Sequence, residues 1–124
     1  MATHVPAGYT AVTPYLLVPD VEVYLAFLAS GLGAREVERH AGPDGTCVHG
    51  EAEIAGARVM VGRAPERAGG ALLYHFVDDV DGTWRRLLDL GATPLREPAD
   101  QEYGHRTAAV TDAAGHQWWL ARPR

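Results

Sequence analysis

The sequence contains no lysine; all eleven of its basic residues are arginine. Covalent chemistry through a lysine Schiff base is therefore excluded. It contains a single serine, Ser30, close to the end of a predicted helix, which makes a serine–histidine–acid triad improbable on position alone. A lone cysteine, Cys47, rules out an internal disulfide and suits a reducing cytoplasm. No glycine-rich phosphate loop follows a predicted strand. No block of basic residues occurs and the net charge is −5, which argues against nucleic acid or an anionic membrane as partner. The first residues lack a basic start and an apolar core of the kind an export signal needs. No apolar run approaches membrane-spanning length.

What is present is an ordinary globular composition: 124 residues, 47% hydrophobic, with mixed charge. The closing stretch, Asp100 to Ala121, reads as a hairpin. His105–Thr111 is one strand, Asp112-Ala113-Ala114-Gly115 a turn, and His116–Ala121 a second strand centred on Trp118-Trp119-Leu120. The first half of the chain ends in a similar way. Sliding the sequence on itself aligns Tyr15 with Tyr74, Val18 with Val77, Asp20 with Asp79, Val21 with Val80 and Ala55-Gly56 with Ala114-Gly115. Val59-Met60-Val61 then falls on Trp118-Trp119-Leu120. These matches fall at element boundaries, and predict two copies of one supersecondary unit.

In the first copy, Tyr9–Val18 is a strand with Pro14 marking an edge or bend. Asp20 caps a helix over Val21–Ser30 whose apolar stripe is Val21, Tyr24, Leu25 and Leu28, and Gly31 and Gly33 end it. Strands follow over Ala34–His40, Thr46–Ile54 and Ala57–Gly62, with turns at Gly42–Gly45 and Ala55-Gly56. Arg63–Gly70 has linker composition. In the second copy, Ala71–Val77 is a buried strand and Val80–Leu90 a helix with Val80, Trp84, Leu87 and Leu88 facing the core. Thr93–Glu97 is a strand and Pro98–Gly104 a loop before the closing hairpin. The fold class is α+β: one domain over residues 1–124, built from two tandem β-α-β-β-β pseudo-repeats at about 9–62 and 71–121, with helices on one side of the sheet.

A doubled β-α-β-β-β unit resembles the vicinal oxygen chelate superfamily, which includes glyoxalase I, the extradiol dioxygenases and the bleomycin- and fosfomycin-resistance proteins. Val12-Thr13-Pro14-Tyr15-Leu16, His49-Gly50-Glu51, Val77-Asp78-Asp79-Val80-Asp81, Asp100 to Arg106 and Gly115-His116-Gln117-Trp118 are similar to the PhnB-like branch. The resemblance implies that the two modules form a curved mixed sheet around a cleft, each contributing half, and that the chain pairs as a homodimer. In catalytic members it also implies a divalent metal held from the first and last strands of each module. Carried onto this sequence, those positions are Thr13, Met60, Leu72 and Trp119. None supplies the imidazole or carboxylate donors that such a metal requires. The expectation is therefore no metal, no other cofactor, and a binding protein rather than an enzyme.

Strand alternation groups Tyr15 and Leu17 with Tyr74 and Phe76, and Met60 and Trp119 join them. Such a wall suits a flat aromatic small molecule, although each ring alone could equally fill a core. His49 with Glu51 is a candidate acid–base pair or a surface feature. Tyr103 lies at the loop mouth, and Arg106 is either an anion clamp or an ion-pair partner of Asp100 or Glu102. His75 is expected to face the helices, and His116 to satisfy turn backbone. The functional expectation is sequestration of an aromatic ligand such as an antibiotic. The alternative is a metal-dependent lyase, isomerase or dioxygenase with a relocated metal near His49, Glu51 and His105.

Overall fold

The computed structural model describes residues 4–124. The element order is β1 (Tyr15–Val18), α1 (Val21–Leu32), β2 (Arg35–Ala41), β3 (Cys47–Ile54), β4 (Ala57–Arg63), β5 (Leu72–Phe76), α2 (Val80–Asp89), β6 (Thr93–Asp100), β7 (His105–Thr111) and β8 (Gln117–Pro123). The chain divides into two compact units between Ala68 and Gly69. Each has the β-α-β-β-β order, an α+β arrangement with one four-stranded mixed sheet: β1-β4-β3-β2 in the first and β5-β8-β7-β6 in the second.

The repeat is visible in the strand register. Tyr15 pairs with Met60 across the parallel β1–β4 ladder, and Tyr74 pairs with Trp119 across β5–β8. In both units the first strand pairs with the last, and the two middle strands continue the sheet antiparallel. Asp20 and Asp79 cap their helices by accepting from the N–H groups of Val23 and Gly82. Helix α1 runs two residues beyond the sequence expectation because Gly31 stays helical and Gly33 takes the left-handed capping position at φ 68°.

The core of the first unit lies between α1 and one sheet face, where Leu16, Val18, Val21, Leu25, Leu28, Ala52, Ile54 and Val61 are buried. Gly50 allows this packing: a Cβ there would stand 2.8 Å from Leu25 Cδ1. In the second unit Val80 and Leu87 of α2 are buried, as are Ala108, Val110, Trp118 and Leu120 of the sheet. Trp84 is half-buried, and its indole N–H donates to the carbonyl of Ala109 at 3.1 Å.

Four expectations need correction. The first strand starts at Tyr15, not Tyr9. Ahead of it, Thr10 Oγ1 donates to the Val12 carbonyl and Thr13 Oγ1 to the Thr10 carbonyl, so local turns hold the backbone that a strand would need. The segment 63–70 is not a plain linker, because β4 continues through Arg63 and a 3₁₀ turn spans Pro65–Arg67. Strand β5 is not buried on both faces: Leu72, Tyr74 and Phe76 are exposed. Strand β6 extends to Asp100 across two register shifts, which shortens the expected loop.

Candidate functional site

Each sheet has one face covered by its helix and one open face, and the candidate side chains fall on the open faces. In the first unit Leu16 and Val18 are buried under α1, so alternation turns Tyr15 and Leu17 the other way. Met60, Gly62, His49 and Glu51 share that face through the β1–β4–β3 register. The Tyr15 ring lies over Gly62, where an added Cβ would come within 2.6 Å of its hydroxyl oxygen. From there the hydroxyl sits 3.4 Å from His49 Nδ1, with the rings edge to face. His49 Nε2 in turn contacts Glu51 Oε2 at 2.9 Å, and the Glu51 carboxylate is almost fully buried. His40, directly across from His49 on β2, stacks obliquely on it at 5.8 Å between ring centroids and pairs with Glu38. Next to Met60, a small cavity of about 150 Å³ is lined by His4, Tyr9, Thr13 and their neighbours.

In the second unit the open face is aromatic. Leu72 is 61% exposed, Tyr74 43%, Phe76 55% and Tyr103 65%. The Tyr74 hydroxyl is hydrogen-bonded to His105 Nδ1 at 2.8 Å, and the His105 ring is surrounded by Tyr74, Phe76 and Tyr103 at centroid distances of 6.0, 5.4 and 5.4 Å. Burial, together with the neighbouring Tyr103 hydroxyl, pushes the Tyr74 phenol pKa upward. Trp119 completes the face. Its indole N–H is held by Gln117 Oε1 at 3.0 Å, and the Arg96 guanidinium lies 5.4 Å from its ring centre.

The two faces differ by one methyl at a place that matters. Gly62 of the first unit corresponds in register to Ala121 of the second, each two residues beyond the partner of the equivalent tyrosine. Ala121 carries a Cβ at the position where Gly62 leaves room for the Tyr15 ring. Tyr74 reaches His105, one pleat further along its third strand than the place matching His49.

Of the residues singled out from sequence, Tyr15, Leu17, His49 and Met60 share the open face of the first unit. Tyr74, Phe76 and Trp119 share that of the second, with Tyr103 alongside in the turn before β7. Arg106 does not join them. Alternation along β7 turns it to the helix side, where its fork grips Asp81 at 2.7 and 2.8 Å and reaches Asp100 at 3.1 Å. The pairing holds the Asp81 carboxyl below its usual range and raises the Arg106 pKa. The clamp reading of Arg106 does not fit this geometry; the ion-pair reading does, with Asp81 as the partner that the sequence did not suggest. His75 lies on the helix side against Trp118, where burial lowers its pKa. His116 is buried, and its Nδ1 accepts from the N–H of Ala71 at 3.1 Å. Gly62, Arg96 and Gln117 escaped the sequence reading, because their roles depend on cross-strand register rather than on any local pattern.

With this geometry established, comparison with known proteins is informative. Residues 8–120 match the profile of the Glyoxalase/Bleomycin resistance protein/Dioxygenase superfamily. The chain belongs to this superfamily. An uncharacterized protein of Mycobacterium tuberculosis is 32% identical over 126 residues, covering 91% of this chain and 74% of that protein. Among solved structures, TioX from Micromonospora sp. ML1 superposes with a TM-score of 0.76 at 28% identity, covering 93% of this chain and 99% of TioX. The genomically encoded fosfomycin resistance protein FosX of Listeria monocytogenes shares the fold at a TM-score of 0.75 and 19% identity, covering 93% and 94% of the two chains.

The positions onto which the resemblance carries the metal ligands of catalytic members hold no such donors. Thr13 precedes β1 and Met60 pairs with Tyr15; Leu72 opens β5 and Trp119 is engaged with Gln117 and Arg96. A hydroxyl, a thioether, an isobutyl group and an indole do not form a donor set for a divalent ion. Among the described residues, no group of three or more His, Cys, Asp or Glu is placed to hold one. No helix among them is long and apolar enough to cross a membrane.

Proposed function

We propose that this glyoxalase-superfamily protein binds a flat aromatic small molecule without a metal at the superfamily's usual positions, and lowers its free concentration in the manner of a resistance protein. The observation that carries the reading is the open face of the second unit, where Tyr74, Phe76 and Tyr103 expose their rings around His105 and Trp119 pairs with Tyr74 on the same sheet. Contiguous exposed aromatic surface on a folded chain signals an interaction site. Planar ligands stack on such rings, and Gln117, Arg96 and the Tyr74 hydroxyl offer polar contacts at the edge. The presence of bleomycin resistance proteins in the superfamily agrees with an antibiotic as ligand.

The reading also takes the protein as a cytoplasmic homodimer without nucleic-acid or membrane partners. A buried free Cys47 and a net charge of −5 agree with this. Open sheet edges are a weak reason for the dimer. Edge strand β2 carries Arg35, Glu36, Glu38 and Arg39, and edge strand β6 carries Pro94 and Pro98, both devices that discourage edge pairing.

Calorimetric titration with a panel of planar aromatic antibiotics tests the function. At least one should bind, and Trp119→Ala should weaken it by about tenfold through loss of stacking. Binding unaffected by Trp119→Ala would remove the pocket from this face.

A further inference from the structure

Three side chains on the open face of the first unit form one hydrogen-bonded line. Glu51 Oε2 lies 2.9 Å from His49 Nε2, and His49 Nδ1 lies 3.4 Å from the Tyr15 hydroxyl. A carboxylate offers only acceptor sites, so a neutral His49 imidazole carries its one proton on Nε2 and presents Nδ1 as an acceptor. The Glu51 side chain is 11% exposed and that of His49 23%. The imidazole is thus held in one tautomer and orientation by a buried acid, with its basic nitrogen towards the open face. At 3.4 Å the Tyr15 contact is at the long limit of a hydrogen bond and is readily exchanged for a better donor.

We propose that this line takes the proton of an acidic ligand hydroxyl, so that the ligand class is phenolic and the bound form is the phenolate. The proposal rests on the aromatic-ligand reading, extends it to the open face of the first unit taken by itself, and names the acidic group that a ligand carries there. In the step, the ligand O–H bond breaks and an N–H bond forms at His49 Nδ1. The electron pair stays on the ligand oxygen, and the imidazolium charge faces Glu51. Tyr15, displaced from Nδ1, turns its hydroxyl to donate to the new oxyanion. The arrangement parallels a buried acid that orients a histidine base and stabilises its protonated form.

The surroundings favour a neutral hydroxyl over a ligand that arrives as an anion. Glu51 lies beside His49 on its own strand, and Glu38 and His40 stand across from it on β2. β1 contributes only the Tyr15 phenol and Leu17, and β4 contributes Met60 and Gly62. Two carboxylates repel an incoming carboxylate ligand, whereas a phenol enters uncharged and ionises in place. The second unit is built differently. Ala109 stands opposite Trp119 at the place where Glu51 stands opposite Met60, so no acid occupies the position that backs the histidine.

The probes are 7-hydroxycoumarin and its O-methyl ether, 7-methoxycoumarin, used with the full-length protein about one pH unit below the phenol's own pKa. The excitation spectrum of 7-hydroxycoumarin distinguishes phenol from phenolate. The wild-type protein should bind it with the phenolate band and bind the methyl ether about tenfold more weakly. His49→Gln should bind both probes equally and show only the phenol band. Glu51→Gln should reduce the phenolate fraction, and Tyr15→Phe, which leaves the base intact, should retain the band. Bound 7-hydroxycoumarin that stays neutral in the wild type, or a phenolate band that survives His49→Gln in folded protein, overturns the proposal while leaving aromatic binding intact. If neither coumarin binds, the first-unit face is no aromatic-ligand site and the proton-transfer proposal falls, whereas an antibiotic whose binding is weakened by Trp119→Ala still upholds the reading on the second unit.

Discussion

Asp112 offers the sharpest test of how this fold presents its aromatic face. It is 4% exposed, and both carboxylate oxygens are used. Oδ1 accepts from the N–H groups of Ala114 at 2.9 Å and His116 at 3.0 Å, and Oδ2 accepts from the Trp118 indole at 2.9 Å. One side chain thus closes the β7–β8 turn and fixes the ring preceding Trp119. Asp112→Ala leaves two fully buried donors without this acceptor, at about 1–3 kcal/mol each, while the Ala114 N–H can turn to water. The expected destabilisation is about 3–5 kcal/mol. Asp112→Asn keeps one oxygen and should cost only about 1–3 kcal/mol, because its amide N–H₂ can satisfy one side of the network at most. If the indole contact is the part lost, Asp112→Asn should cost about 1 kcal/mol less in a Trp118→Phe background. All three tryptophans lie in the second unit, so urea denaturation followed by intrinsic fluorescence reports on that unit. A loss below about 1 kcal/mol for Asp112→Ala, or an equal loss for the alanine and asparagine variants, would refute the network as described.

Two pH effects follow from groups on the helix side of the second sheet. Burial lowers the pKa of His75, so below about pH 6.5 the unfolded chain takes up a proton that the folded one resists. Stability should decline as pH falls through that region, and His75→Gln should flatten the decline in urea midpoints taken between neutral and mildly acidic pH. Asp81 is the opposite kind of group. Arg106 depresses its pKa, so its contribution is complete above the ordinary aspartate range near 3.9 and is lost as pH falls through the lower folded value. Asp81→Asn should remove that acid-limb dependence and cost about 0.5–1 kcal/mol at neutral pH, since the pair is a third exposed and screened by salt.

The sequence made the repeat legible because its signals are local. Asp20 and Asp79 read as caps, Ala55-Gly56 and Asp112–Gly115 read as turns, and the helix stripes carry the right period. Tyr15 and Tyr74 could be placed on open faces because alternation needs only strand existence. The start of β1 was misread because β-branched Thr10 and Thr13 have strand propensity, yet they spend their hydroxyls on neighbouring carbonyls. β6 was cut short because Pro98 suggested a loop, whereas the strand accommodates it on a sheet edge with a shifted register. Asp100, six residues away, was legible as an ion-pair partner of Arg106, whereas its second partner, Asp81, lies 25 residues away on α2. Only folding brings them together.

The difference between Gly62 and Ala121 also bears on how such a chain can diversify. A tandem duplication starts with two identical faces, and selection can separate them only by substitutions that each unit tolerates alone. Exchanging glycine for alanine takes one nucleotide change and adds a single carbon. In the first unit that carbon is absent and the tyrosine lies back across its sheet to meet a histidine backed by an acid. In the second it is present and the equivalent tyrosine joins an aromatic cluster instead. One small mutation at this position, joined by Thr107 and Ala109 where the first unit has His49 and Glu51, thus helps hand the two halves of the repeat different chemical duties without disturbing the ladder that holds either of them.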